Sequence, residues 1–266
     1  MKWLLAALAM TITLTACASS ENGTGEPASG SVEPLPAGQV VLSIDYGGFV
    51  DQAEYHADVT DLVVYGDGRV FQATQNGPHR AATYLLARVD ASRVAALVVK
   101  VEGSGLVDEG TPYGYPDVMD AGSVLITVHG AQGPSSVDVY ALYPSVRVPS
   151  AEQQRNREEL LDLVDEIEQL ADGAAPTPVD AAQVVQAESW NSSGPAWPGP
   201  PLAEFVQPVT DDEWITGCGV LAGDQAQAAV DAAVQNEQFF HWLVDGQATV
   251  LAVRPLLPHE EGCADL

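Results

Sequence analysis

The segment Ser150 to Ala171 restricts what this chain can fold into more than any other. Leu160, Leu163, Val164, Ile167 and Leu170 recur at the three-and-four spacing of one helical face, and Glu158, Glu159, Asp162, Asp165 and Glu166 fill the other side. Ser150 followed by Gln153 is the pattern of a capping box, and Gly173 supplies a stop. A helix with one apolar stripe and one anionic face must lie on a partner layer with its charged side in water.

The preceding residues supply that layer. Val40 to Ile44 is a β-rich run, and Val59 to Tyr65 and Arg69 to Thr74 flank the tight-turn signal Gly66-Asp67-Gly68, which predicts a hairpin. Asp90 reads as the N-cap of an earlier helix with Val94, Leu97, Val98 and Val101 on its buried face, ended by Gly103 and Gly105. Strands are expected at Ser123 to Val128 and at Ser135 to Leu142, where Val137, Val139 and Ala141 alternate with Ser136, Asp138 and Tyr140. The order is a β-β-α unit occurring twice, with no side-chain identity that would mark a duplication. The expected class is α+β: an antiparallel sheet with helices packed on one face, followed by a smaller disulfide-tied α+β unit.

The expected boundaries follow composition. Residues 39–172 form the α+β domain, 173–178 (Gly-Ala-Ala-Pro-Thr-Pro) a linker and 179–266 the smaller unit. That unit is read as a strand at Ala182 to Ala187, a Pro- and Gly-rich loop at Trp190 to Pro201 and a strand at Trp214 to Leu221. A helix opened by Asp224 follows, then a hairpin turning at Asp245-Gly246, and the whole reads as a second small α+β unit or as an extension of the first core.

The first residues address location. Lys2 is a minimal positive region, and the apolar run from Trp3 to Thr15 is too short for a stable bilayer span. It ends in Leu14-Thr15-Ala16-Cys17, which resembles a bacterial lipobox. The resemblance implies that residues 1–16 are a lipoprotein signal peptide, that Cys17 is the lipidated residue and that the protein faces the extracytoplasmic side of the cell membrane, held by acyl chains. Residues 17–38, rich in Ser, Gly, Glu and Pro, read as a flexible tether.

Export also bears on the two remaining cysteines. An even pair in an oxidising compartment favours a Cys218–Cys263 disulfide. The competing reading is a reactive Cys218 with His241 as its base. The flanks Thr216-Gly217-Cys218-Gly219 match no cysteine-enzyme signature, and no third orienting residue stands out.

The formal net charge is −27, and −28 once Lys2 leaves with the signal. Lysine occurs only at Lys2 and Lys100. Such a chain repels nucleic acid and anionic headgroups and favours cations and basic partners. Lys-poor, Ala- and Val-rich usage also fits a high-GC genome.

The most site-like segment is Asp108 to Asp120. Asp108, Glu109, Asp117 and Asp120 lie close together among loop carbonyls, a donor set suited to hard cations, but without the EF-hand pattern. They are candidate cation ligands, or an acid/base pair, or the exposed part of a helix-to-strand connection. Trp190 and Trp197, among the prolines of residues 190–201, are a candidate partner loop or a local extension of the core. His56, His79, His129, His241 and His259 lack zinc-ligand spacing, so no zinc site is expected from them, and no cofactor is expected.

Tyr65-Gly66-Asp67-Gly68-Arg69-Val70, Gly105-Leu106 before Tyr113-Gly114 and Pro116-Asp117, and Arg254-Pro255-Leu256-Leu257-Pro258 before Cys263 resemble a group of uncharacterised secreted actinobacterial proteins. That resemblance spans most of the mature chain and implies an architecture but no catalytic residue. The reading is therefore a lipid-anchored, non-enzymatic binding or interaction module of the envelope, with an unidentified envelope protein or ligand as partner. The alternative is an envelope hydrolase or a cation or small-ligand carrier using residues 108–120.

Overall fold

Seven strands carry the first half of the structure. The computed structural model describes residues 35–47, 58–74, 81–131, 133–187, 193–210, 214–237 and 240–265. Among these, β1 (Val40–Gly47), β2 (Leu62–Tyr65), β3 (Arg69–Ala73), β4 (Tyr84–Arg88), β5 (Ser123–Gly130), β6 (Gly133–Tyr140) and β7 (Ala175–Pro176) form one antiparallel sheet, ordered β6-β5-β1-β2-β3-β4-β7. The residues of β4 carry no clean alternation of apolar and polar side chains, so the sequence does not announce this strand. The segment 173–178 contains β7, whose residues pair with Leu85 and Leu86.

Two helices cover one face of this sheet. They are α1 (Ala91–Ser104) and α2 (Ala151–Glu168), the latter continuing into a 3-10 turn at Gln169–Ala171. Val94, Leu97, Val98 and Val101 from α1 and Leu160, Leu163, Val164 and Ile167 from α2 pack with Leu42, Ile44, Leu62, Val64, Ile126 and Val128. Each such side chain contributes about 1.5–3 kcal/mol when fully buried. A Lys100–Glu166 ion pair joins the two helices at the surface. The Ser150 hydroxyl accepts from the Gln153 amide at 3.5 Å, but the Gln153 side chain lies against Gly114, so only one arm of the capping box is present. Asp90 occupies the N-cap position of α1 without a side-chain capping bond.

The second sheet is also antiparallel. It comprises β8 (Ala181–Ala187), β9 (Gln207–Pro208), β10 (Ile215–Ala222), β11 (His241–Val244) and β12 (Gln247–Pro255), ordered β11-β12-β8-β10-β9 among the described residues. Asp245 and Gly246 have φ of +51° and +79°, the paired left-handed conformation that closes a two-residue hairpin. Helix α3 (Asp224–Gln235) buries Ala226, Ala229, Val230 and Ala233 against Val184, Leu221, Trp242, Leu251 and Val253. The opposite face holds the Cys218–Cys263 disulfide, with a Cα separation of 5.8 Å, beside Val185, Ile215, Phe240, Val250 and Ala252. The fold is thus α+β, with the sulfurs committed to each other. A free Cys218 thiol with His241 as base is not what the chain builds.

Both sheets fall within one compact unit. The residues after β12 meet the face of the first sheet that points away from α1 and α2. Leu257 packs with Val63, Tyr65, Phe71 and Tyr84, and the Tyr65 hydroxyl shares a 2.7 Å hydrogen bond with His259 Nδ1. Arg254 donates to the Gln183 side chain and, at 2.6 Å, to Glu260, whose other oxygen accepts from the Leu257 amide. Burial is the largest influence on the Tyr65 hydroxyl and pushes its pKa up to about 12.

Candidate functional site

The connection between α1 and β5, residues 105–122, is irregular yet closely tied. Thr111 donates its hydroxyl to the Gly105 carbonyl at 2.7 Å, buried Tyr113 donates to the Leu106 carbonyl, and Ser135 donates to the Val107 carbonyl at 2.6 Å. Asn156 of α2 reaches the Pro112 carbonyl at 2.9 Å. Gly114 sits at φ +66°, and a β-carbon there would fall 2.5 Å from the Gln153 side chain. Only glycine meets both demands.

Arg157 organises this region. It is only 1% exposed although it belongs to the otherwise anionic helix α2. Its guanidinium donates to the carbonyls of Tyr113 (3.5 Å), Tyr140 (3.2 Å) and Ala141. Burial lowers its pKa, and carbonyl oxygens stand where a carboxylate partner is usual. Ala141, whose carbonyl it holds, has φ +50°, a costly conformation for a residue with a β-carbon. The planar fork of Arg157 therefore fixes the end of β6 and the start of the loop together.

That clamp presents side chains outward. The Tyr140 hydroxyl donates to the Val118 carbonyl at 2.9 Å and accepts from the Ala121 amide at 3.1 Å. The Tyr115 ring stacks flat on Tyr140, with centroids 4.7 Å apart and planes 5° from parallel. Tyr115 nevertheless remains 76% exposed and Met119 85%. Asp108, Glu109, Asp117 and Asp120 are exposed along the same segment, and Asp120 takes φ +55°. No group of three or more His, Cys, Asp or Glu side chains that could hold a metal ion occurs among the described residues. The result is a preorganised aromatic and thioether surface with a carboxylate rim.

The other expected residues lie elsewhere. Cys17 and Trp190, with His56 and His79, are outside the described residues. Trp197 is half-buried and packs edge-on against Trp242 at 5.3 Å, its indole NH donating to the Pro200 carbonyl at 3.0 Å. Its ring thus extends the core beneath α3. His241 is buried, which lowers its pKa. No described helix is long and apolar enough to cross a membrane. Sequence reasoning passed over Arg157. The signal was present: Arg157 precedes Leu160 by three residues and Val164 by seven, so it stands on the apolar stripe itself.

A second electrostatic feature lies at the end of β1. Burial raises the Asp45 carboxyl from its ordinary 3.8 to about 6, and the nearby charges of Asp58 and Asp61 add to the rise. Asp58 is raised as well, again chiefly by burial. Between about pH 4 and 6 the folded chain therefore holds a proton on Asp45 that the unfolded chain releases. That group stabilises the fold as pH falls through about 6 and penalises it at neutral pH. Asp45→Asn is expected to be more stable than the parent at about pH 7.5, with the difference shrinking by about pH 4.5. Denaturant titrations at the two pH values check this; an equal difference at both would exclude the raised carboxyl as its source.

Comparison of the chain with protein-family models, with curated proteins and with solved structures finds no match.

Proposed function

We propose that this protein is a lipid-anchored, extracytoplasmic interaction module without catalytic activity, and that the clamped segment 113–120 is its contact surface for a basic partner of the envelope. The observation that carries the reading is the exposure of Tyr115 and Met119 on a loop immobilised from beneath by Tyr140 and Arg157. An ordered loop pays little entropy on binding, and exposed aromatic and Met side chains are frequent anchors at interfaces. The carboxylate rim and the net charge of −27 select a cationic partner surface. The resemblance of Leu14-Thr15-Ala16-Cys17 to a lipobox supports attachment through Cys17, and the disulfide fits an oxidising compartment.

One experiment tests both parts, using full-length protein expressed in a lipoprotein-processing bacterium as parent, Cys17→Ser and Tyr115→Ala/Met119→Ala. Cys17→Ser is expected to leave the membrane fraction or retain its signal; normal maturation with membrane retention would refute the anchor. The double variant is expected to stay within about 0.5 kcal/mol of the parent, as surface changes do, and to lose the basic partner captured by the parent. Retained capture would remove the loop from the interface, and a stability loss of several kcal/mol would make both side chains structural.

A further inference from the structure

The two sheets leave a cavity of about 420 Å³ between them, within the size range of small-ligand sites. Phe71, Tyr84, Leu86, Val179 and Leu257 give it an apolar lining, and Arg69 and Arg88 stand in its wall. The chain has only ten Lys and Arg residues, yet it sets these two directly opposite each other on β3 and β4. Like charges at such a cross-strand position repel, so the placement costs stability unless an anion lies between them. Arg69 is partly compensated. Its Nε contacts Asp67 at 2.9 Å, and its guanidinium carbon lies 4.4 Å from the centre of the Tyr65 ring. Arg88 is exposed, and no carboxylate is paired with it among the described residues.

The other polar groups of the wall differ in what they have to spare. Both oxygens of Glu260 are taken, by Arg254 and by the Leu257 amide. The Tyr84 hydroxyl donates to the Thr60 carbonyl at 3.3 Å. Asp180 is exposed at the rim and sets a negative charge there. The walls are preformed, because the Thr177 amide bonds the Tyr84 carbonyl at 3.3 Å and the Leu256 amide bonds the Ala181 carbonyl at 2.9 Å. Arg69 and Phe71 alternate along β3, and Arg88, Leu86 and Tyr84 along β4, so one sheet face offers the cavity apolar and aromatic carbon with guanidinium at one end.

We propose that the cavity binds a small organic acid, with its carboxylate on Arg88 and Arg69 and its apolar body over Phe71, Tyr84 and Leu257. The site uses none of the residues of segment 113–120, so this proposal and the contact-surface reading stand or fall separately.

The test is thermal unfolding of the full-length protein with hexanoate, and with hexanamide as the uncharged probe of the same body. Hexanoate is expected to raise the melting temperature in a saturable way, and hexanamide is not. Arg88→Gln removes the charge while keeping a polar side chain and is expected to weaken hexanoate binding roughly tenfold, the value of one charged hydrogen bond. Arg93→Gln, a charge removed outside the cavity, is expected to leave the shift intact. No shift with hexanoate, an equal shift with hexanamide, or an Arg88→Gln response equal to the parent's would each overturn the proposal.

Discussion

Arg157→Leu is expected to unfold far more readily than the parent, losing about 3–5 kcal/mol, because three carbonyls each give up a hydrogen bond from a charged donor worth about 1–3 kcal/mol. For a chain of this size that is a fall in melting temperature of roughly 6–20 °C. Leucine matches the neighbouring stripe of α2, so apolar packing alone would predict a gain. The loss arises because the carbonyls of Tyr113, Tyr140 and Ala141 give up a charged donor at a site that keeps its burial, and because Ala141, in its left-handed conformation, is then held only by its main-chain bonds to Gly122 and Tyr143. Arg157→Lys is expected to recover little, since one ammonium cannot reproduce a fork spread over three acceptors. Limited proteolysis should then cut within residues 105–122 before it cuts elsewhere. A leucine variant as stable as the parent would show that the clamp contributes nothing net.

Loss of the Cys218–Cys263 bridge is the second large effect. The bond closes a separation of 45 residues. The chain-entropy relation assigns about 4 kcal/mol to a loop of that size, and measured values often fall below it. Cys218→Ser/Cys263→Ser is therefore expected to lower stability by about 2–4 kcal/mol. The bridge fastens the short turn Cys263–Asp265 to β10, and the residues just before that turn supply Leu257 and His259 to the first sheet and Glu260 to Arg254 of β12. Hydrogen exchange should accordingly rise most in β8, β10 and β12, and next at Tyr65 and Phe71 beneath the tail. Faster exchange in α1 and α2 first would contradict that order. In the non-reduced protein both cysteines should resist alkylation.

Local patterns were legible wherever one residue type had one physical reason to be there. The stripe of α2, the face of α1 and the Asp245-Gly246 turn all follow from period and turn chemistry. Strand β4 did not, because its alternation is blurred between edge strand β7 and the tail that packs on it. Residues 173–178 look like a spacer by composition, yet main-chain hydrogen bonding, which composition does not report, makes two of them a strand. The segment 108–120 stood out for its carboxylates, whereas its rigidity comes from carbonyls held by Arg157 and Tyr140. Carbonyl acceptors belong to every residue alike and leave no mark in a sequence. Trp197 likewise needed Trp242, 45 positions along the chain, to declare itself part of the core.

The position of β1 has a mechanical side. It is the first described strand, and it lies in the interior of its sheet, paired with β5 on one side and β2 on the other. A pull entering from the N-terminal direction would load this strand before any other. Unlike an edge strand, which peels away one bond at a time, β1 would have to part from both neighbours and leave a gap in the helix-covered core behind it. Drag on the folded body would thus be resisted first by a strand bonded along both of its edges.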